Sequence, residues 1–238
     1  MNPQPASIGR EVDPASVFIV VPSYNEGKVV RNTLMPLLMA GYSVVLVDDC
    51  STDQTKQAVA DLGIHYLRHP INLGQGAALQ TGMTYALQQG ADYIVHFDAD
   101  GQHNFRDIDS LLAPILAGEA DVTTGTRFQR KEDIRAVPAS RRVLLKAAVL
   151  VNGLLTGMWM TDAHNGFRAF SRSAAQAIRI TENRMAHATE ILSLIRQAHL
   201  RLTEVPVHIT YSEYSWAKGQ SSLNSFHILI DLILRKIL

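Results

Sequence analysis

The stretch YIVHFDADGQH, residues 93–103, sets an apolar run, Tyr93–Phe97, directly against two acids and an amide, Asp98, Asp100 and Gln102. A short, mostly apolar run of that length, interrupted only by His96 and closed by acid, reads as a buried strand. The pattern occurs twice upstream. Val17–Val21 stops at Pro22 and leads into Ser23-Tyr24-Asn25-Glu26, and Ser43–Val47 is closed by Asp48-Asp49. Helical spacings lie between. Residues 26–40 carry Val29, Val30, Leu34, Leu37 and Leu38 before a C-capping Gly41, with Pro36 predicting a kink or break. A helix from a Ser51 or Asp53 cap runs to about Leu62, and Gly76–Gln89 is a third. Ile64–Leu67 adds a short strand, residues 105–117 a helix, and Asp121–Gly125 an extended segment. This alternation predicts an α/β chain with a mostly parallel central sheet flanked by helices. Ligands of such sheets sit outside the carboxyl ends of the strands, so the three polar strand ends are expected in one crevice.

The pattern loosens after residue 125. Residues 126–140 form a charged loop with Pro138, a helix fills about 141–160, Phe167–Phe170 is a strand, and 186–199 are helical. Leu202–Thr210 is the last strand, where Pro206 predicts an edge or a strand end. Residues 1–16 are polar, with Pro3, Pro5 and Pro14, and read as a flexible arm rather than a secretory signal. The domain therefore spans 17–222. Residues 223–238 form an amphipathic helix, with His227, Asp231 and Arg235 every four residues on an apolar body. Docking on its own domain, a homo-oligomer contact and a membrane surface are its three readings.

With 238 residues, 47% hydrophobic and 18% charged, the chain is long and apolar enough for a full core. Equal numbers of basic and acidic residues, 22 each, argue against nucleic acid as a partner bound through bulk charge. The single Cys50 makes neither an intrachain disulfide nor a thiolate zinc site, which fits a cytoplasmic location.

Asp98 and Asp100 are two apart. In extended chain both carboxylates point one way and can grip a hard cation, Mg²⁺ or Mn²⁺, which keeps its other positions for water and phosphate oxygens. Gln102 can add an amide oxygen. Asp48-Asp49 offers one acid for a ribose diol or base edge and one for the turn, where the Ser51 and Thr52 amides are in reach. Arg127 can meet a diphosphate through its planar fork, or be a solvated loop arginine. Gly74-Gln75-Gly76 is no dinucleotide fingerprint, because Leu79 stands where the third glycine belongs and the motif follows the third strand; this argues against a nicotinamide oxidoreductase. Those glycines instead permit close backbone approach at a helix start. His164, beside Asn165 and Gly166, reads as a surface or capping histidine.

Taken in order, these residues resemble a family-2 glycosyltransferase of the GT-A fold, over about residues 17–222. The motifs are Val21-Pro22-Ser23-Tyr24-Asn25-Glu26, Val47-Asp48-Asp49-Cys50-Ser51-Thr52-Asp53, Asn72-Leu73-Gly74-Gln75-Gly76, Asp98-Ala99-Asp100-Gly101-Gln102-His103, Gly125-Thr126-Arg127-Phe128, and Asp162 with Asn165-Gly166-Phe167-Arg168. The nearest subgroup is the dolichyl- or polyprenyl-phosphate mannose synthase type. The resemblance implies that Pro22, Tyr24 and Glu26 hold the nucleotide, with Val47 and Asp49 beside base and ribose and the Ala99 backbone against it. It implies a metal at Asp98, Asp100 and Gln102, and Arg127 and Arg141 at the diphosphate or the acceptor phosphate. The activity implied is inverting transfer from a UDP- or GDP-sugar to a polyprenyl phosphate at the cytoplasmic membrane face. Transfer to a glycan hydroxyl in cell-surface polysaccharide synthesis and a non-catalytic nucleotide-sugar-binding module are the rival readings. A hydroxyl acceptor would need a base, for which Asp162 and Glu190 are the nominees. Where subgroup members often carry Gly-x-Ser-Lys, this chain has Gly219-Gln220-Ser221-Ser222, with Lys218 just before; the donor sugar stays open.

Overall fold

The structure, a computed structural model, describes residues 12–127, 153, 157–162 and 165–210. Among these residues seven strands form one sheet: β1 (Val17–Ser23), β2 (Ser43–Asp48), β3 (His65–Arg68), β4 (Tyr93–His96), β5 (Val122–Thr126), β6 (Arg168–Ser171) and β7 (Leu202–Pro206). Their order is β3-β2-β1-β4-β6-β5-β7. Only β6 runs against its neighbours, β4 and β5; the other pairings are parallel. The helices are α1 (Val30–Met39), α2 (Thr55–Ala58), α3 (Gln75–Gln88), α4 (Ile108–Leu116), α5 (Arg172–Ala177) and α6 (His187–Gln197). The expected α/β architecture with a mostly parallel sheet is therefore the one formed.

The pleat divides the core in two. Val17, Ile19 and Val21 of β1 pack with Leu34, Leu37 and Leu111 from α1 and α4. Phe18 and Val20 face the other way, with Met83 of α3 and Ile191 of α6. All seven residues of β1 are buried, as a strand covered on both faces requires. On α3, a Cβ at Gly82 would stand 2.3 Å from Val20 Cγ1, so this helix lies unusually close to the sheet.

Several boundaries differ from expectation for identifiable reasons. β1 continues through Pro22, which pairs with Val47. The Val20 carbonyl accepts Phe97 N on the β4 side and the Ser23 carbonyl accepts Asp49 N on the β2 side. Pro22, two residues after Val20, turns its proton-less nitrogen toward Phe97, so the β1–β4 ladder stops there while the pairing with β2 continues. Pro36 lies inside an unbroken α1, and Asn32, whose carbonyl it deprives of a donor, is exposed to water. α2 is one turn rather than a helix to Leu62, and α5 was not expected. Residues 157–160 are not helical, with Gly157 at φ 69°. The arm is anchored at its inner end: the Ala15 carbonyl accepts Ser43 Oγ and the Ser16 carbonyl accepts Asp92 N. Pro206 is the last residue of β7, an edge strand, as its chemistry predicts. The remaining arm, the charged loop beyond Arg127, Arg141, His164, Lys218, Ser222 and the 223–238 helix lie outside the described residues.

Candidate active site

The carboxyl ends of β1, β2 and β4 open on one cavity of about 570 Å³. Pro22, Tyr24 and Glu26 stand on its wall after β1, Asp49 after β2, and Asp98, Ala99, Asp100 and Gln102 after β4. The first two segments interlock. Asn25, left-handed at φ 56°, donates its N–H to Ser51 Oγ at 2.9 Å and accepts Thr52 N at 2.9 Å. Glu26 N donates to Thr55 Oγ1 and Gly27 N to Asp53 Oδ2, at 3.0 and 2.9 Å. A Cβ on Gly27 would lie 2.9 Å from the Gln54 carbonyl carbon, so glycine lets the two loops close. Asp53 Oδ1 also accepts Thr55 N at 2.9 Å, one residue outside the capping place expected of it, since Gln54 stands at the N-cap of α2.

The two acids after β2 divide their work. Asp48 is fully buried and accepts Ser51 N at 2.8 Å and the Tyr66 hydroxyl, which makes it the turn carboxylate. Burial and the Asp48 charge push the Tyr66 phenol far up. Asp49 reaches the cavity, but its carboxylate also holds the protein together. Oδ1 accepts Leu73 N at 2.9 Å and lies 2.7 Å from His69 Nδ1, while Oδ2 accepts Gly74 N at 2.7 Å. Val47, expected beside the base, is a correction: the pleat sends it into the core toward α3, and it does not line the cavity.

The acid pair after β4 is not in extended chain, as the sequence suggested; the strand ends at His96 and residues 99–100 form a turn, with Gly101 at φ 75°. Asp98 Oδ1 accepts Gln75 Nε2 at 3.1 Å, and Oδ2 lies 3.0 Å from His103 Nε2. Burial pushes the Asp98 carboxyl up, but the His103 hydrogen bond and the charges of His103, His187 and Arg168 together hold it below its ordinary value. Asp100 moves the other way, raised by burial and then by the Asp98 charge. Gln102 is tied to Asp100 through its backbone N at 3.0 Å and its Nε2 at 2.6 Å. A Cβ on Gly166 would lie 2.8 Å from Asp98 Oδ2, so the glycine keeps room for that carboxylate. Two acids, one of them raised by burial and by its neighbour's charge, gather negative charge that a dication would relieve. The donor set is all oxygen, which fits Mg²⁺ or Mn²⁺. Among the described residues no three His, Cys, Asp or Glu side chains make a closed metal cage.

Beneath the acids lies a buried basic layer. Arg168 is 1% exposed, and burial brings its guanidinium down to about 10, opposed by the charges of Asp98 and Asp162. Burial also lowers His187, to about 4, and holds His96 well below the usual histidine range. Among the described residues neither ring nitrogen of His96 has a hydrogen-bond partner.

Arg127 lines the cavity, but its fork does not stand open to a diphosphate. Nε and Nη2 meet Asp162 Oδ2 and Oδ1 at 2.7 and 2.9 Å, and Asp162 is 2% exposed. A buried carboxylate needs such a partner, and the planar guanidinium supplies it. Asp162, nominated as a base, is thereby engaged in an ion pair. Glu190, the other nominee, is not among the residues lining the cavity; it accepts Thr181 N at 3.0 Å and Glu182 N at 2.9 Å, pinning the segment before α6. That segment explains two glycines. A Cβ at Gly74 would lie 2.3 Å from the Asn183 carbonyl oxygen and one at Gly76 2.0 Å from that of Glu182, so the close backbone approach expected there is the protein's own. Gln75, His103 and Ile209 join the wall without having been singled out. Gln75 and His103 stand inside quoted motifs, whereas Ile209 arrives through a bridge to His103 that no local pattern announces.

A sequence profile described as glycosyl transferase family 2 matches residues 18–179. The chain belongs to glycosyl transferase family 2. The enzyme is thus a glycosyltransferase, and two relatives match it nearly end to end. An uncharacterized protein of Methanocaldococcus jannaschii is 35% identical over 231 residues, 96% of this chain and 95% of the relative. The UDP-N-acetylglucosamine–dolichyl-phosphate N-acetylglucosaminyltransferase of Methanococcus voltae is 30% identical over 240 residues, 92% of this chain and 96% of the relative. In fold, this glycosyltransferase resembles glucosyl-3-phosphoglycerate synthase from Mycobacterium tuberculosis, solved with Mn²⁺, UDP and phosphoglyceric acid. The TM-score is 0.67 at 16% identity, over 91% of this chain and 75% of that one. The GT-A fold is therefore the one present. Among the described residues no helix is long and apolar enough to cross a membrane.

Proposed function

We propose that this glycosyltransferase moves a sugar, with inversion, from a nucleoside diphosphate to a polyprenyl phosphate, using a divalent cation held by Asp98, Asp100 and Gln102. The observation that carries the reading is the acid pair Asp98 and Asp100 facing Pro22, Tyr24, Glu26 and Asp49 across one cavity. The cation, when bound, supplies positive charge against the diphosphate, worth several kcal/mol. The protein's own side chains do the rest. Pro22, Tyr24, Glu26 and Asp49 receive the nucleoside, with the Ala99 backbone against it. Arg127, pinned by Asp162, sets its charge at the diphosphate end.

An acceptor phosphate oxygen forms the new bond to the anomeric carbon while the bond to the diphosphate breaks, and the nucleoside diphosphate leaves with that electron pair. A phosphate acceptor suits the site better than a sugar hydroxyl. The nominated bases Asp162 and Glu190 are both engaged elsewhere, and a phosphate is already ionised at neutral pH. The dolichyl phosphate in the name of the Methanococcus voltae relative supports the same acceptor class. A lipid acceptor also favours a peripheral position at a membrane face, with residues 223–238 as the contact.

The test is nucleoside-diphosphate release with Mn²⁺ across UDP- and GDP-sugars, with and without a short polyprenyl phosphate. Lipid-stimulated release from one donor is expected. Release that ignores the lipid would move the acceptor to water or a hydroxyl. Absence of both release and donor binding would overturn the reading.

A further inference from the structure

The loop from His69 to Gln75 touches both ends of the cavity. At one end Leu73 N and Gly74 N donate to the two oxygens of Asp49, at 2.9 and 2.7 Å. At the other, the next residue, Gln75, donates Nε2 to Asp98 Oδ1 at 3.1 Å. The two attachments are on consecutive residues, and the chain between them has no slack. Gly74 takes φ 109°, and Asn183 stands against it where a Cβ would be. The same Asn183 carbonyl accepts Ala77 N at 3.2 Å, holding the first turn of α3.

His69 stands behind Asp49. Its ring is 9% exposed, with Nδ1 at 2.7 Å from Asp49 Oδ1 and Nε2 at 3.0 Å from Thr81 Oγ1 on α3. An ionised carboxylate only accepts, so Nδ1 carries the proton toward Asp49, and in the neutral ring Nε2 accepts the Thr81 hydroxyl. His69 N also donates to the Asp48 carbonyl at 2.9 Å. The imidazole is thus a strut between the end of β2 and the body of α3, and it fixes the rotation of the Asp49 carboxylate.

We infer that His69 is a positioning residue for both ends of the site: it holds Asp49, Asp49 holds Leu73 and Gly74, and Gln75 holds Asp98. The inference rests on the reading above, with the nucleoside at Asp49 and the cation at Asp98. Its consequence is that the two ligands tighten each other through the protein, reciprocally. A nucleoside diphosphate would also couple them directly, through its phosphates. A nucleoside has no phosphates, which leaves two routes, the loop and the Ala99 backbone between the two acids, and only the loop route depends on His69.

The experiment measures Mn²⁺ affinity of the full chain by electron paramagnetic resonance of the free ion, with and without saturating uridine or guanosine. In the unaltered protein the nucleoside that binds is expected to tighten Mn²⁺ by about fivefold or more. His69→Phe should weaken Mn²⁺ alone and abolish the tightening. His69→Asn, which keeps an N–H toward Asp49, should restore most of it, a rescue that a merely space-filling role for the ring would not require. Thr81→Val, which removes only the distal bond, should fall between. A folded His69→Phe with unaltered Mn²⁺ affinity and coupling overturns the inference. If that variant does not fold, unaltered values in Thr81→Val overturn it instead. Failure of the unaltered protein to bind either nucleoside or Mn²⁺ overturns the underlying reading, and the inference with it. Binding of both without coupling overturns the inference alone.

Discussion

Asp100 is held in the less favourable state of the acid pair, raised by burial and by the charge of Asp98. Replacing it with asparagine removes a repulsion from the folded protein and a ligand from the cation. Asp100→Asn is therefore expected to be at least as stable as the parent while losing turnover by at least about a hundredfold, the scale of a lost metal contribution. Thermal melting beside nucleoside-diphosphate release checks both halves; a destabilised but active variant would contradict the assignment. Asp162 is the opposite case. Its carboxylate closes a bidentate pair with Arg127 and is almost wholly buried. Asp162→Asn leaves a guanidinium without its counter-charge and should cost about 3 kcal/mol in urea unfolding. A loss below about 1 kcal/mol would mean that the pair is not what holds this wall.

At the scale of elements, α3 carries the closest tolerance. Its Gly82 faces β1 and β2, where a Cβ would sit 2.3 Å from Val20 Cγ1 and 3.2 Å from Val47 Cγ2. Gly82→Ala should destabilise by about 1–3 kcal/mol through overpacking, although alanine is the better helix former. A denaturant midpoint equal to or above the parent's would show that the helix moves outward freely. The elements themselves were largely readable, because buried parallel strands require continuous apolar runs. Where reading failed, the neighbours decided. Pro36 and Pro114 sit inside α1 and α4 at positions whose orphaned carbonyls, of Asn32 and Ser110, belong to exposed residues. Pro22 stays in β1 because its pairing with Val47 of β2 continues on the side that its missing proton does not serve.

Across the whole molecule, the buried histidines set an acid limit. His187 is brought from 6.5 to about 4 by burial, and His96 is lowered in the same direction. The folded state thus binds fewer protons than the unfolded one between these values. Stability from this source is complete above pH 6.5 and falls as pH drops toward 4. For His187 the shift corresponds to about 3 kcal/mol. Urea unfolding from about pH 7 to about 4.5 should show the loss, and His187→Gln should flatten that slope. An unchanged slope would mean that the ring is not kept neutral by burial.

The α/β sheet, the family and most of the cavity wall are written in the chain's local patterns. Apolar runs end in Pro22-Ser23-Tyr24, Asp48-Asp49 and Asp98-Ala99-Asp100, and a parallel sheet carries its strand ends to one rim whatever the connections do. Which acid is engaged by the protein's own donors was settled by packing alone. Asp48 is held by Tyr66, Arg127 by an acid 35 positions away, and Glu190 by the amides of Thr181 and Glu182. His69, Thr81 and Ile209 entered from segments whose patterns are those of an ordinary loop, helix and strand end. A carboxylate's role is set by the donors that reach it. Donors distant in sequence are brought there by the fold, and a local pattern holds no record of them.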